Sequence, residues 1–216
     1  MPQQGLVAWF KSSELGETGN GGNKWVSTVG DFIARPTSGT VQTVTSTGHG
    51  ASAPIRAVKG DTSSAYAFGN IIPEKYTVCS LSRYTGATRG RIFSATRGNW
   101  LHGHWSGVAG VAHYEGWIGG SANRVTPVLN WVNLCGTSQA LFLGGKKVGS
   151  RGGQLGGNRG VVINSGSIRE ISHWEVAELI TWNRALSDKE MQDANAYLQQ
   201  VLDGESRFPR ILYSSC

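Results

Sequence analysis

The fold class this sequence predicts is all-β, a sandwich or barrel of short strands with one helix near the C-terminal end. Three observations predict it. Glycine supplies 31 of the 216 residues, well above the usual ~7%, and its scattered placement marks tight turns rather than a collagen repeat. Eight tryptophans accompany it, and large aromatics fit a pleated, half-buried surface. Apolar runs rich in β-formers return about every ten to fifteen residues between turn-rich pieces, which is the spacing of a sandwich.

Taken in order, the first strand is Gly5 to Phe10 (GLVAWF), and a loop follows from Glu14 to Asn23, where Gly16, Gly19, Gly21 and Gly22 break any regular element. Further strands are predicted at Trp25 to Val29, Val41 to Thr45, Ala65 to Phe68, Tyr76 to Tyr84 and Arg91 to Ala95. In Asn99 to Trp105 (NWLHGHW) the period of two places Trp100, His102 and His104 on one face and Leu101, Gly103 and Trp105 on the other. Ser106 and Gly107 turn the chain into Val108 to Tyr114, which Glu115 to Ile118 continues. Val128 to Cys135 and Gln139 to Leu143 read as two strands, and Gly144-Gly145 as a hairpin turn into Lys146 to Val148. Gly149 to Gly160 reads as a glycine-rich loop, and Trp174 to Trp182 alternates as a strand should. Ser187 and Glu190 then form a capping box that opens a helix over 187–203. Its apolar stripe is Met191, Ala194, Leu198, Val201 and Leu202, and Gly204 stops it. Such a stripe is expected to dock on a sheet edge or end.

A chain of this length suits one all-β domain, predicted over 1–204 with a tail at 205–216, and its core needs no metal or disulfide to hold. The net charge of +6 favours anionic partners such as acidic polysaccharide. The basic residues are thinly spread, the densest set being Arg83, Arg89, Arg91 and Arg97, with Lys146, Lys147 and Arg151 further on. No run resembles a nucleic-acid tail, so no nucleic-acid partner is expected. No apolar span approaches the ~20 residues a transmembrane helix needs. Met1-Pro2-Gln3-Gln4 leads directly into the first strand without a signal peptide, which reads as an intracellular protein or a mature or excised piece.

Three cysteines form no CxxC pair, which argues against zinc ribbons and thioredoxin chemistry. Cys79 and Cys135 lie in apolar runs and read first as two buried thiols, with a bridge between them as the alternative if their strands are neighbours. Cys216 stands at the chain end, where an intermolecular bond could form. His102 and His104, at alternate strand positions, are weak metal candidates that His113 or Glu115 would have to complete; neutral imidazoles in an aromatic setting explain them more simply. Trp100, Trp105, Tyr114 and Trp117 form a candidate sugar-stacking platform, with His102, His104, Asn99 and Arg97 as polar neighbours able to fix hydroxyls. About half of these rings must point into a sandwich core, so one or two exposed rings are expected.

At this point the residues resemble a known family, the laminin-G-like domains of the concanavalin A-like lectin and glucanase superfamily. GLVAWF at 5–10 looks like the family's first strand, and WVNLCG at 131–136 followed by ALFLGGKKV at 140–148 is similar to its hairpin, with Gly144-Gly145 where Asp-Gly is usual. EVAELITWNRALSDKE at 175–190 resembles the closing strand and helix start. The resemblance implies a two-sheet antiparallel jelly-roll sandwich, an extracellular or cell-surface setting, and calcium at the rim in some relatives, although Asp31 and Asp61 are isolated here. Laminarinase-type glucanases share the sandwich and carry acidic residues at alternate positions of one strand. No such strand is present: Glu175 and Glu178 are three apart, on opposite faces of a regular strand. The expected function is therefore non-catalytic recognition of glycan. The alternative is a structural module that docks to proteins through exposed aromatics, basic loops and Cys216.

Overall fold

A computed structural model describes residues 1–15, 24–154 and 156–204. The loop predicted at Glu14 to Asn23 falls mostly outside the described residues, as do the tail from 205 and Cys216. The described chain forms two antiparallel sheets and one helix. In chain order the strands are β1 (Leu6–Phe10), β2 (Trp25–Val26), β3 (Ile33–Ser38), β4 (Val41–Ser46), β5 (Ile55–Gly60), β6 (Ala65–Ile72), β7 (Thr77–Arg89) and β8 (Phe93–Ala95). They continue with β9 (Trp100–Trp105), β10 (Val108–Tyr114), β11 (Val132–Thr137), β12 (Ala140–Leu143), β13 (Lys146–Ser150), β14 (Arg159–Ile163) and β15 (Ser172–Trp182), and the helix α1 spans Asp188–Asp203.

The first sheet runs β13-β12-β11-β7-β15-β5-β4, with β1 also paired to β15, and the second runs β10-β9-β8-β14-β6-β3-β2. The long β15 organises the first sheet. Along one side it pairs with β7, and along the other its first half meets β5 and its second half β1. This is the two-sheet jelly-roll sandwich with a C-terminal helix.

The space between the sheets is filled from both sides by large apolar side chains, among them Phe10 and Trp174 from the first sheet and Tyr66, Phe68, Phe93 and Trp100 from the second. Phe10 meets Phe68 edge to face at 5.2 Å, a geometry that aligns positive ring edge with negative ring face. A second apolar cluster lies on the opposite face of the first sheet, where Trp9, Leu81, Phe142 and Ile180 are covered by Met191, Ala194, Leu198 and Leu202 of α1. The helix therefore seals a sheet face over β7, β11 and β12 instead of an edge or end. Asn195 of α1 donates to Asn133 Oδ1 at 2.6 Å and its carbonyl accepts from Asn133 Nδ2 at 2.9 Å, which fixes the helix on β11. The capping box is present, with Ser187 accepting from the Glu190 amide and the Glu190 carboxylate accepting from the Ser187 amide, and Gly204 closes the helix at φ +68°.

Five predictions about elements change. Cys79 and Cys135 face each other across β7 and β11 and are joined as a disulfide, not left as buried thiols. The strand at Val108 ends at Tyr114, because Glu115 takes a positive φ of 56° and Trp117 folds back to bridge His113. Gly149 and Ser150 belong to β13, and Arg159 and Gly160 to β14, so the glycine-rich stretch is shorter than the sequence suggests. β3, β5 and β14 have no counterpart in the sequence reading. The strand predicted from Val128 begins only at Val132. The Gly144-Gly145 turn stands, with both residues at positive φ as the tight hairpin between β12 and β13 requires.

Candidate functional site

The alternation of β9 separates the predicted site residues into two groups. Trp100, His102 and His104 point between the sheets and are buried. Trp100 stacks on Tyr114 of β10 at 5.2 Å, His102 Nδ1 shares a 2.6 Å hydrogen bond with the Tyr114 hydroxyl, and His104 packs edge-on against Tyr84 at 4.6 Å. Burial drives both imidazoles down from the ordinary 6.5 to about 3 and raises the Tyr114 hydroxyl. These four side chains are core, which corrects their assignment to a ligand surface.

The same geometry dissolves the metal set. His113 lies on the outer face of the sheet, and Glu115 is engaged by Arg159 at 2.6 Å and by the Asn99 amide at 3.0 Å. Among the described residues no three His, Cys, Asp or Glu side chains gather as a metal-binding group. Asp61, one of the two isolated acids considered for calcium, accepts hydrogen bonds from Ser63 and Ser64, which hold its carboxyl below the ordinary value. Arg97 also leaves the set, because its guanidinium donates to the carbonyls of Gly157 and Asn158.

What remains lies outside the second sheet. Trp105 ends β9 half-buried, its ring 5.0 Å from Trp117 and inclined at 63°. Trp117 in turn stands edge-on to His113 at 5.0 Å. The fold-back after Tyr114 produces this arrangement, since a straight extension of β10 would carry Trp117 away from both partners. A depression of about 350 Å³ beside these rings is also lined by Leu101, Arg91, Ile168 and Glu170. Asn99 completes the rim.

The polar groups of the depression are few. His113 Nδ1 lies 2.8 Å from the Asn99 carbonyl, which can only accept, so Nδ1 is the donor of that bond. Asn99 Oδ1 is buried without a partner among the described residues. Arg91 is 5% exposed at its side chain and its Nε donates to Glu170 Oε2 at 2.7 Å, while its Nη1 has no partner among the described residues. Glu170, at 39% exposed, is the single carboxylate lining the depression among the described residues. Rings with apolar faces beside a donor-acceptor pair suit a ligand with both C–H faces and hydroxyls.

Of the predicted set, Asn99, Trp105 and Trp117 thus come together, joined by Arg91, Leu101, His113, Ile168 and Glu170. Ile168 and Glu170 were beyond sequence reasoning, because their loop lies far along the chain and returns through backbone bonds from Arg91 N to the Glu170 carbonyl and from Gly90 N to that of Ile171. Another depression, of about 290 Å³, lies on the first sheet near Gln42, Lys59, Thr85 and His173 and presents no tryptophan.

The two glutamates weighed for hydrolysis share a face after all. A bulge between Val176 and Glu178 shifts the parity of β15, so that Glu175 opposes Arg83 and Glu178 opposes Leu81. Both carboxylates have structural partners. Glu175 is held by Arg83 at 2.8 Å and Ser46 at 2.7 Å, and Glu178 accepts from the Trp9 indole at 2.9 Å and from Ser12.

No family model matches the sequence. No curated protein matches it either. Solved structures with the same fold include domain 4 of AbnA, an extracellular arabinanase from Geobacillus stearothermophilus, in complex with arabinotriose (TM-score 0.60, 16% identity, covering 88% of this chain and 98% of that one). Trypanosoma rangeli sialidase in complex with sialic acid is similar over 93% of this chain and 34% of its own, with a TM-score of 0.58 and 12% identity. The binding domain of Paraclostridial Mosquitocidal Protein 1 is similar over 89% of this chain and 52% of its own, with a TM-score of 0.57 and 12% identity. The chain therefore spans nearly the whole of the arabinanase domain and about a third of the sialidase. At these identities the likeness establishes the sandwich fold.

Proposed function

We propose that this chain is a non-catalytic recognition module that binds glycan in the depression between Trp105, Trp117 and the Arg91–Glu170 pair. The observation that carries this reading is the inclined pair of half-buried indoles beside a small set of donors and acceptors. Aromatic faces accept the C–H side of a sugar ring, and a few placed polar groups fix its orientation. A non-catalytic role is supported by the carboxylates: glycoside hydrolysis commonly uses a pair, and Glu170, bound to Arg91, is the single carboxylate lining the depression among the described residues.

Two similar structures support a binding role, one the arabinanase domain with its arabinotriose and the other a domain described as a binding domain. An extracellular or cell-surface location accords with the Cys79–Cys135 disulfide, since such bonds persist in oxidising compartments. Kinship to laminin-G-like domains, suggested by the closing strand and helix start, is part of the same proposal.

The reading is tested on an array of immobilised glycans covering neutral and acidic polysaccharide fragments. Retention of the folded protein on at least one glycan class is expected. Folded protein that binds none of them would overturn glycan recognition.

A further inference from the structure

The depression beside Trp105 does not end at the Arg91–Glu170 pair. A second, more open one of about 530 Å³ also has Glu170 in its lining, together with Ala87, Thr88, Ser106 and Gly107. Because Ser106 directly follows Trp105, the β9–β10 turn forms one continuous bank for both. We propose that the two depressions are consecutive subsites for a single linear glycan chain, which lies along its length across the Arg91–Glu170 pair. This deepens the reading above and rests on it.

Three features support chain-wise rather than end-on binding. The depressions share Glu170, so a chain seated in the first is led into the second. Beside Arg89 and Ile171 the second is lined by small residues, Ala87, Thr88, Gly90, Ser106 and Gly107, and at Gly107 no atom of the described residues lies within 4 Å of where a Cβ would stand, which leaves room for a bulky ring. At the junction, the almost wholly buried Arg91 donates from Nε to Glu170 Oε2 at 2.7 Å, which fixes that carboxylate where the two depressions meet. Glu170 is open enough to accept from a hydroxyl of a crossing sugar. The rings of Trp105 and Trp117 then hold the unit on the first side.

The test is calorimetric titration of the chain with oligosaccharide ladders, from monosaccharide to hexasaccharide, of glucan, xylan, arabinan, mannan and a uronate polymer. Affinity for at least one ladder should rise by about tenfold or more between the monosaccharide and the trisaccharide. Ala87→Leu, which fills the exposed second depression, should remove that gain and leave monosaccharide affinity unchanged. Equal affinity along every bound ladder, or an unchanged gain in the Ala87→Leu protein, overturns chain-wise binding while glycan recognition stands. Failure of the folded protein to bind any ladder overturns both.

Discussion

His102 and His104 show how a single residue's environment decides its chemistry. Both sit between the sheets, and neither ring nitrogen of His104 has a hydrogen-bond partner among the described residues. Their pKa values fall to about 3 in the folded state from an ordinary 6.5. A neutral folded-state imidazole and a protonated unfolded-state one mean that the unfolded chain binds more protons below pH 6.5. Their stability contribution is therefore complete above that pH and is lost as pH falls toward 3, at about 1.4 kcal/mol per pH unit for each residue. Denaturant titrations from pH 7 to pH 4 should show this slope, and His104→Leu should reduce it by about half at little cost at neutral pH, since it removes two orphan nitrogens from an apolar contact with Tyr84. An unchanged slope would exclude the buried imidazoles as its source. The pattern NWLHGHW was sufficient to group Trp100 with both histidines on one face. It could not tell which face turns inward, because both carry an aromatic residue.

At the scale of elements, sequence reading succeeded where a local rule is sharp. The capping box, the Gly204 stop and the Gly-Gly hairpin each depend on a few adjacent residues with one compatible backbone geometry. It failed where pairing replaces pattern. β3 carries Pro36 and is mostly exposed, β5 ends in lysine and glycine, and β14 emerges from a glycine-rich stretch, so none shows a clear period of two. The β15 bulge likewise cannot be seen in a sequence window, yet it moves Glu178 to the face of Glu175. The adjacency of β7 and β11 makes the Cys79–Cys135 bond, which closes a sequence separation of 56 residues. On the chain-entropy account this constrains the unfolded state by about 4 kcal/mol. Cys79→Ala/Cys135→Ala should lose stability of that order in chemical denaturation, with the cooperative transition retained. A loss below about 1 kcal/mol would show that the unfolded chain gains little freedom when the bond is removed.

For the whole molecule, the alternation of strands and the one amphipathic helix were enough to reach a sandwich or barrel, because each sheet must bury a face and the helix its stripe, and the resemblance to laminin-G-like domains narrowed this to two sheets. The site was legible only in part. Trp105, Trp117 and Asn99 stand close in sequence, whereas Ile168 and Glu170 reach them through the fold, on a loop whose backbone bonds to Gly90, Arg91 and Ala95. Sheet order also explains why the helix covers a face: β7, β11 and β12 present Cys79, Leu81, Cys135 and Phe142 away from the inter-sheet core, and this second apolar surface needs a lid. The central claim is that glycan binds on the outside of the second sheet at the indole pair. Its most direct test is a binding titration, against the best glycan from the array, comparing wild-type protein with Trp105→Ala/Trp117→Ala and with Gln42→Ala at the first-sheet depression. The account predicts a loss of about tenfold or more in the double variant, with an intact far-ultraviolet spectrum, and no change for Gln42→Ala. Undiminished affinity in the folded double variant would contradict it.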